Sequence, residues 1–205
     1  SHTGLMNITL RAVNQTALTS SPFSYRQQIH NHSGQRWECE IQLPPMIRSD
    51  AEIWLGFLLS LNGMAGSFLL GDPLGATASG NLGGTPLVNG ANQTGSSLSI
   101  DGCSNSITNW LKAGDYIQLG GGSNLDPNSA SNATLHKVLT NVDTNSSGQA
   151  TLDLWPSIRV APSDNATVTT SNPVGRFRLN SGEQDWNISS ASFYGITFAA
   201  IEVVP

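Results

Sequence analysis

His30 and His32 stand two residues apart in the chain. On a strand, that spacing aims both imidazoles at one face, which would begin a metal site. A structural zinc takes four ligands and a catalytic zinc three. No Cys-x-x-Cys, His-Glu-x-x-His or Asp-rich calcium loop accompanies the pair, and the other histidines are the distant His2 and His136. The pair reads as part of a solvated hairpin, with no metal and no cofactor expected.

Nucleophiles fare no better. Gly63-Met64-Ala65-Gly66-Ser67 has no second glycine after the serine, so it lacks the Gly-x-Ser-x-Gly form that exposes a nucleophile on a sharp turn. The two cysteines are Cys39 and Cys103. Cys39 alternates with apolar neighbours and has no base beside it, as in an inert core thiol. Two free thiols are expected, in keeping with assembly in a reducing cytoplasm. Glu38 and Glu40 flank Cys39 on one strand face. Asp143, Asp153, Asp164 and Asp185 are scattered, and no motif pairs two carboxyls across a cleft as glycoside hydrolysis needs. Gly120-Gly121-Gly122-Ser123 lacks the Gly-Lys-Ser/Thr ending of a phosphate loop and reads as a hairpin tip. No enzyme is expected. Of the five tryptophans, Trp37 and Trp54 fit core periodicity. Trp110, Trp155 and Trp186 could stack sugars if exposed, although burial is the expectation for each.

The elements that position these residues are mostly strands. Only 11% of the 205 residues are charged, and Asn, Ser, Thr and Gly fill the polar remainder. Those residues suit turns and strand edges more than helices. The net charge is −5, and the nine basic residues are scattered. That argues against a DNA-gripping surface, which needs clustered Lys and Arg. No apolar stretch is long enough to cross a bilayer, and no secretory signal is read, so no membrane insertion is expected.

Leu5 to Val13 and Trp37 to Leu43 alternate with period two. Trp37, Cys39, Ile41 and Leu43 share one face. Asn31-His32-Ser33-Gly34 between them predicts a hairpin turn. Ser49-Asp50-Ala51-Glu52 has the form of a capping box, opening a helix with Ile53, Trp54, Phe57, Leu58 and Leu61 on an apolar face widened by Leu55 and Leu59. Asn62-Gly63 ends it, and so apolar a helix is expected to be buried. Ser67 to Leu70 is a short apolar run before the Gly71-Asp72-Pro73 turn. Ser97–Ile100 reads as a short strand, Lys112–Leu119 as a turn leading into a strand, and Leu135–Leu139, Ala150–Trp155 and Ala166–Thr170 as further strands. Arg176–Leu179 and Tyr194–Val204 close the chain, the last expected to be covered on both sides.

Leu43-Pro44-Pro45-Met46, Ala51-Glu52, Phe57-Leu58-Leu59-Ser60-Leu61-Asn62-Gly63 and Gly66-Ser67-Phe68-Leu69-Leu70-Gly71-Asp72-Pro73 together resemble the distal tail and minor tail proteins of siphophages. Leu111 to Ile117 and Leu135 to Leu139 resemble a module inserted in some of them. Arg176–Leu179 and Tyr194–Phe198 resemble the return to the hub.

The resemblance implies a mainly β protein. Residues 1–73 and 174–205 would form a split β-barrel hub with one packed helix, and residues 74–173 an inserted small β-barrel or sandwich. The expected hub core is Trp37, Ile41, Leu43, Ile53, Trp54, Phe57, Leu58, Leu61, Phe68, Phe177 and Phe198. It also implies a homo-oligomeric ring, commonly a hexamer, in the virion. Such a ring joins the tail tube protein to a tail-tip or baseplate hub protein around a lumen through which DNA passes without specific binding. The alternatives are a tail-tube subunit, or a module that binds host-surface glycan through exposed Trp110 or Trp155 of the insertion.

Overall fold

The computed structural model describes residues 7–121 and 132–204. Gly122 and Ser123 of the glycine run, and His2, lie outside them. The protein is mainly β, and the described residues form one helix and two antiparallel sheets.

The first sheet collects both ends of the chain. It contains β1 (Asn7–Ser20), β2 (Gln27–Gln42), β3 (Phe68–Leu70), β9 (Gly175–Leu179), β10 (Trp186–Ile188) and β11 (Tyr194–Glu202). The order is β1-β2-β11-β9-β3, with β10 pairing the start of β11, and the sheet curls into a half-barrel. Alternation sets its inner face. Trp37, Cys39, Ile41 and Leu43 are all buried, as are Phe177, Leu179, Ile196, Phe198 and Ala200 on the neighbouring strands. Helix α1 (Arg48–Ser60) closes this core with Ala51, Leu55 and Leu58, followed by Leu61 at its C-cap.

The second sheet is built from the middle of the chain. β4 (Gly84–Val88), β5 (Gly95–Cys103), β6 (Tyr116–Leu119), β7 (Thr134–Val138) and β8 (Ala150–Ile158) run in the order β4-β5-β8-β7-β6. Its two edges are joined. Val88 N–H donates to the Ala166 carbonyl and Val168 N–H to the Pro86 carbonyl, while Gln118 and Thr169 exchange both backbone bonds at 2.9 and 3.0 Å. Residues 166–169 thereby bridge the two edges into a small barrel around Leu98, Ile100, Trp110, Ile117, Leu152 and Leu154.

Several expectations are corrected. The β1–β2 hairpin turns at Ser21–Arg26, where Ser21 N–H donates to Arg26 O and Tyr25 N–H to Ser21 O. The stretch expected to turn, Asn31 to Gly34, lies inside β2 opposite a register shift between Asn14 and Thr16. Pro22, suited to the second position of a turn, is the overlooked signal. The capping box does not form, because the helix starts at Arg48 with Ile47 as an N-cap that has no side-chain bond. Met46 and Tyr194 exchange backbone hydrogen bonds, which holds the chain extended up to Ile47 and brings the first turn forward. Glu52 pairs instead with Arg48.

The helix is not buried all round. Ile53 is 72% exposed, Leu59 59% and Phe57 37%, although Phe57 still meets Phe68 edge-on. Ala51, Leu55 and Leu58 follow the i, i+4, i+7 stripe, which points Ile53 and Leu59 away from the sheet. Ala166–Thr170 makes isolated bridges rather than a regular strand. On β11, Thr197 and Ala199 are exposed, so one face of that strand is open.

Candidate functional site

The residues singled out for chemistry are dispersed. His30 and His32 are exposed on the outer part of β2, and no group of three or more His, Cys, Asp or Glu that could hold a metal occurs among the described residues. Both thiols are free and buried. Burial pushes Cys39 up to about 12 and Cys103 to about 11, so neither is a thiolate at neutral pH. Glu38 and Glu40 accept from Arg36 and Arg11. Asp143 and Asp164 accept from the backbone N–H of Asn109 and Gly90, as loop-fixing carboxylates do. The Ser67 hydroxyl accepts from Arg176 at 2.8 Å.

The tryptophans separate by burial. Trp110 is fully buried and its indole N–H donates to Gly83 O. Trp155 is half-buried and its N–H donates to Asn14 Oδ1 at 2.8 Å. Trp186, on β10, is the exposed one at 41%.

What the hub does present is apolar surface. Beyond Asn14 and Gln35, β1 and β2 hydrogen-bond only to each other among the described residues, so the hairpin extends as an arm. Its outer part carries Leu18, Phe23, Tyr25 and Ile29, with Phe23 96% exposed. Ile47, Ile53, Leu59 and Met64 form further exposed apolar surface on and beside α1. Folding alone gives such side chains no reason to be apolar, and grouped exposure of this kind marks contact surface.

The two sheets meet through a polar junction. Glu202, at the end of β11, is 4% exposed and accepts from the Trp37 backbone N–H at 2.9 Å. Burial pushes its carboxyl up to about 6, against the lowering effects of that bond and of Arg159. Trp37 in turn donates its indole N–H to Leu135 O. His136 donates from Nδ1 to Pro156 O at 2.6 Å and holds Thr134 Oγ1 at Nε2. Burial, against the raising effect of the Pro156 bond and with help from Arg159, holds His136 down at about 4, so it is neutral at pH 7. Gln35 Oε1 accepts from both the backbone and hydroxyl of Ser157. Arg159 Nη2 is buried here without a hydrogen-bond partner. Deeper in the small barrel, burial alone would raise Asp115. The N–H groups of Lys112, Ser79 and Gly80 and the Ser79 hydroxyl instead hold it below the usual carboxylate range.

The sequence signal for the junction was weak. Only the alternation of Trp37 was legible, and nothing local marks Glu202 or Gln35 as bridging elements. No helix among the described residues is long and apolar enough to cross a membrane. Neither a family model nor a curated protein matches the chain.

Proposed function

We propose that this protein is a non-enzymatic structural subunit of a bacteriophage tail. It forms a homo-oligomeric ring that joins the tail tube to the tip or baseplate and leaves a channel for DNA. The observation that carries the reading is the β1–β2 arm, whose outer part pairs only with itself among the described residues and leaves Leu18, Phe23, Tyr25 and Ile29 exposed. An apolar arm on one side of a subunit and an apolar helix face elsewhere suit head-to-tail contact between copies, and such contact closes into a ring when the rotation allows. The resemblance of the Leu-Pro-Pro, helix and Gly-Asp-Pro segments to tail hub proteins supports the specific position. The net charge of −5 suits a lumen that DNA crosses without sticking.

Native mass spectrometry and electron microscopy of the purified chain, alone and with tail-tube protein, test the reading. Annular particles are expected, and Phe23→Ser with Tyr25→Ser should leave a folded monomer. A wild-type chain that stays monomeric and ignores the tube protein would sink the reading.

A further inference from the structure

Helix α1 has a glycine in its middle that the subunit itself does not explain. Gly56 is on the exposed side of the helix, and a Cβ built on it would meet nothing within 4 Å. Apart from proline, glycine is the poorest helix former, so an interior glycine costs stability unless something needs the space its missing side chain leaves. Among the described residues nothing uses that space. The helix neighbours of position 56, three and four residues away, are Glu52, Ile53, Leu59 and Ser60, and all four are exposed. They ring a notch with Ile53 and Leu59 on opposite sides. A hole of this kind takes one large side chain from another element.

The matching projection is at the end of the arm. Phe23 and Tyr25 sit in its turn, 96% and 84% exposed, and Leu18 and Ile29 stand opposite each other on one face just behind it. Tyr25 holds a left-handed backbone, φ 53°, which a bulky residue rarely adopts, so the shape of the tip is set at a cost. From Gln15 to Gly34 the arm carries Arg26 and no Asp or Glu, whereas α1 carries Asp50 and Glu52 against Arg48 alone. The two surfaces are therefore complementary in charge. The arm cannot reach its own helix. α1 packs through Trp54 on Phe198, which pairs with Ile41, while the tip joins β2 at Gln27. About 45 Å of strand separates those two points of β2.

We infer that the notch at Gly56 of one copy seats the arm tip of the next, with the Phe23 ring over Gly56 between Ile53 and Leu59, and Arg26 toward Asp50 and Glu52. The inference rests on the reading of this chain as a self-assembling subunit and names the two surfaces that meet. Tip and notch are different surfaces set far apart on the subunit, so the contact is head-to-tail and each copy uses one of each. An aromatic ring laid against helix backbone buries a large apolar area while freezing few torsions, which makes it an effective anchor. A second copy is the occupant that accounts for both features at once. It gives the interior glycine and the exposed Ile53 a purpose, and it covers the apolar tip of the arm. A different protein on the helix would leave that tip bare.

Sedimentation velocity and melting curves of the full chain test this. Gly56→Leu fills the notch and should weaken assembly at least tenfold. Gly56→Ala should weaken it severalfold while raising the melting temperature of the dissociated chain by about 2–4 °C, since the added methyl meets nothing within the subunit and favours the helix. Phe23→Ser with Tyr25→Ser should sediment as a folded monomer. Mixed with that variant, at a concentration where each alone is monomeric, Gly56→Leu supplies the intact tip and its partner the intact notch. The mixture should form a heterodimer and nothing larger. Undiminished assembly of Gly56→Leu overturns the inference and leaves the ring reading standing. Two folded monomeric variants that fail to pair overturn it too, because tip and notch then meet other surfaces. A wild-type chain that stays monomeric sinks both readings.

Discussion

A Cβ built on Gly71 would stand 2.2 Å from the carbonyl oxygen of Pro173. Gly71 is where the chain leaves the first sheet after β3, and Pro173 is where it comes back before β9. The outgoing and returning backbones therefore touch, so the whole small barrel hangs from one narrow waist. Gly71→Ala forces backbone apart there, since a carbonyl cannot yield as a flexible side chain can. We expect a loss of about 1–3 kcal/mol in urea unfolding. An unchanged midpoint would show that the waist gives way freely.

The waist is supplemented by aromatic packing. Trp155 of β8 meets Trp37 of β2 edge-on, with centroids 4.6 Å apart at 88°. The core under the first sheet also takes in Tyr116 and Leu135 from the second. The chain should therefore unfold in one transition, followed by far-UV and tryptophan signals together. Trp155→Ala, at a half-buried site, should cost roughly 2–4 kcal/mol and pull the two signals apart. Coincident signals in the variant would mean that the junction does not depend on this pair.

The junction also carries opposed pH dependences. Glu202, raised from 4.5 to about 6, binds its proton more tightly folded than unfolded, so its contribution is full below pH 4.5 and lost as pH rises through 6. His136, lowered from 6.5 to about 4, behaves the other way, with stability present above pH 6.5 and lost as pH falls through 4. The effects are on the order of 2 and 3 kcal/mol, and they partly cancel between pH 4.5 and 6. Glu202→Gln keeps an acceptor for Trp37 N–H but removes the titration. Its stability should climb more steeply with pH over that window than that of the wild type. His136→Gln should show the reverse, a fall with rising pH. Parallel curves for all three proteins would refute this account.

The helix separates a folding role from a surface role. Leu58, 2% exposed, should cost about 2–5 kcal/mol when changed to Ala. Ile53, 72% exposed, should accept Glu within about 0.5 kcal/mol in the monomer. If this face serves assembly, Ile53→Glu lowers the oligomer fraction without lowering the melting temperature of the dissociated chain. Sedimentation velocity and thermal melts on one sample read both quantities.

Local rules were enough for part of this protein. The inward set Trp37, Cys39, Ile41 and Leu43, the stop after Leu61, the existence of α1 and most of the short strands follow from period and turn chemistry, which act over a few residues. The same rules placed the hairpin turn at Asn31–Gly34 and the cap at Ser49. They could not see the bulge opposite Asn14 or the Met46–Tyr194 bonds, which come from strands far off in sequence. Ile53 and Leu55 are equally apolar in the sequence. Only the packing of α1 on the sheet decided that Leu55 goes in and Ile53 stays out. The Glu202–Trp37 bond across 165 residues and the touching backbones at Gly71 and Pro173 belong to the tertiary structure alone. Each is made by segments that meet only after the chain has closed on itself, and no local periodicity encodes which segments those are.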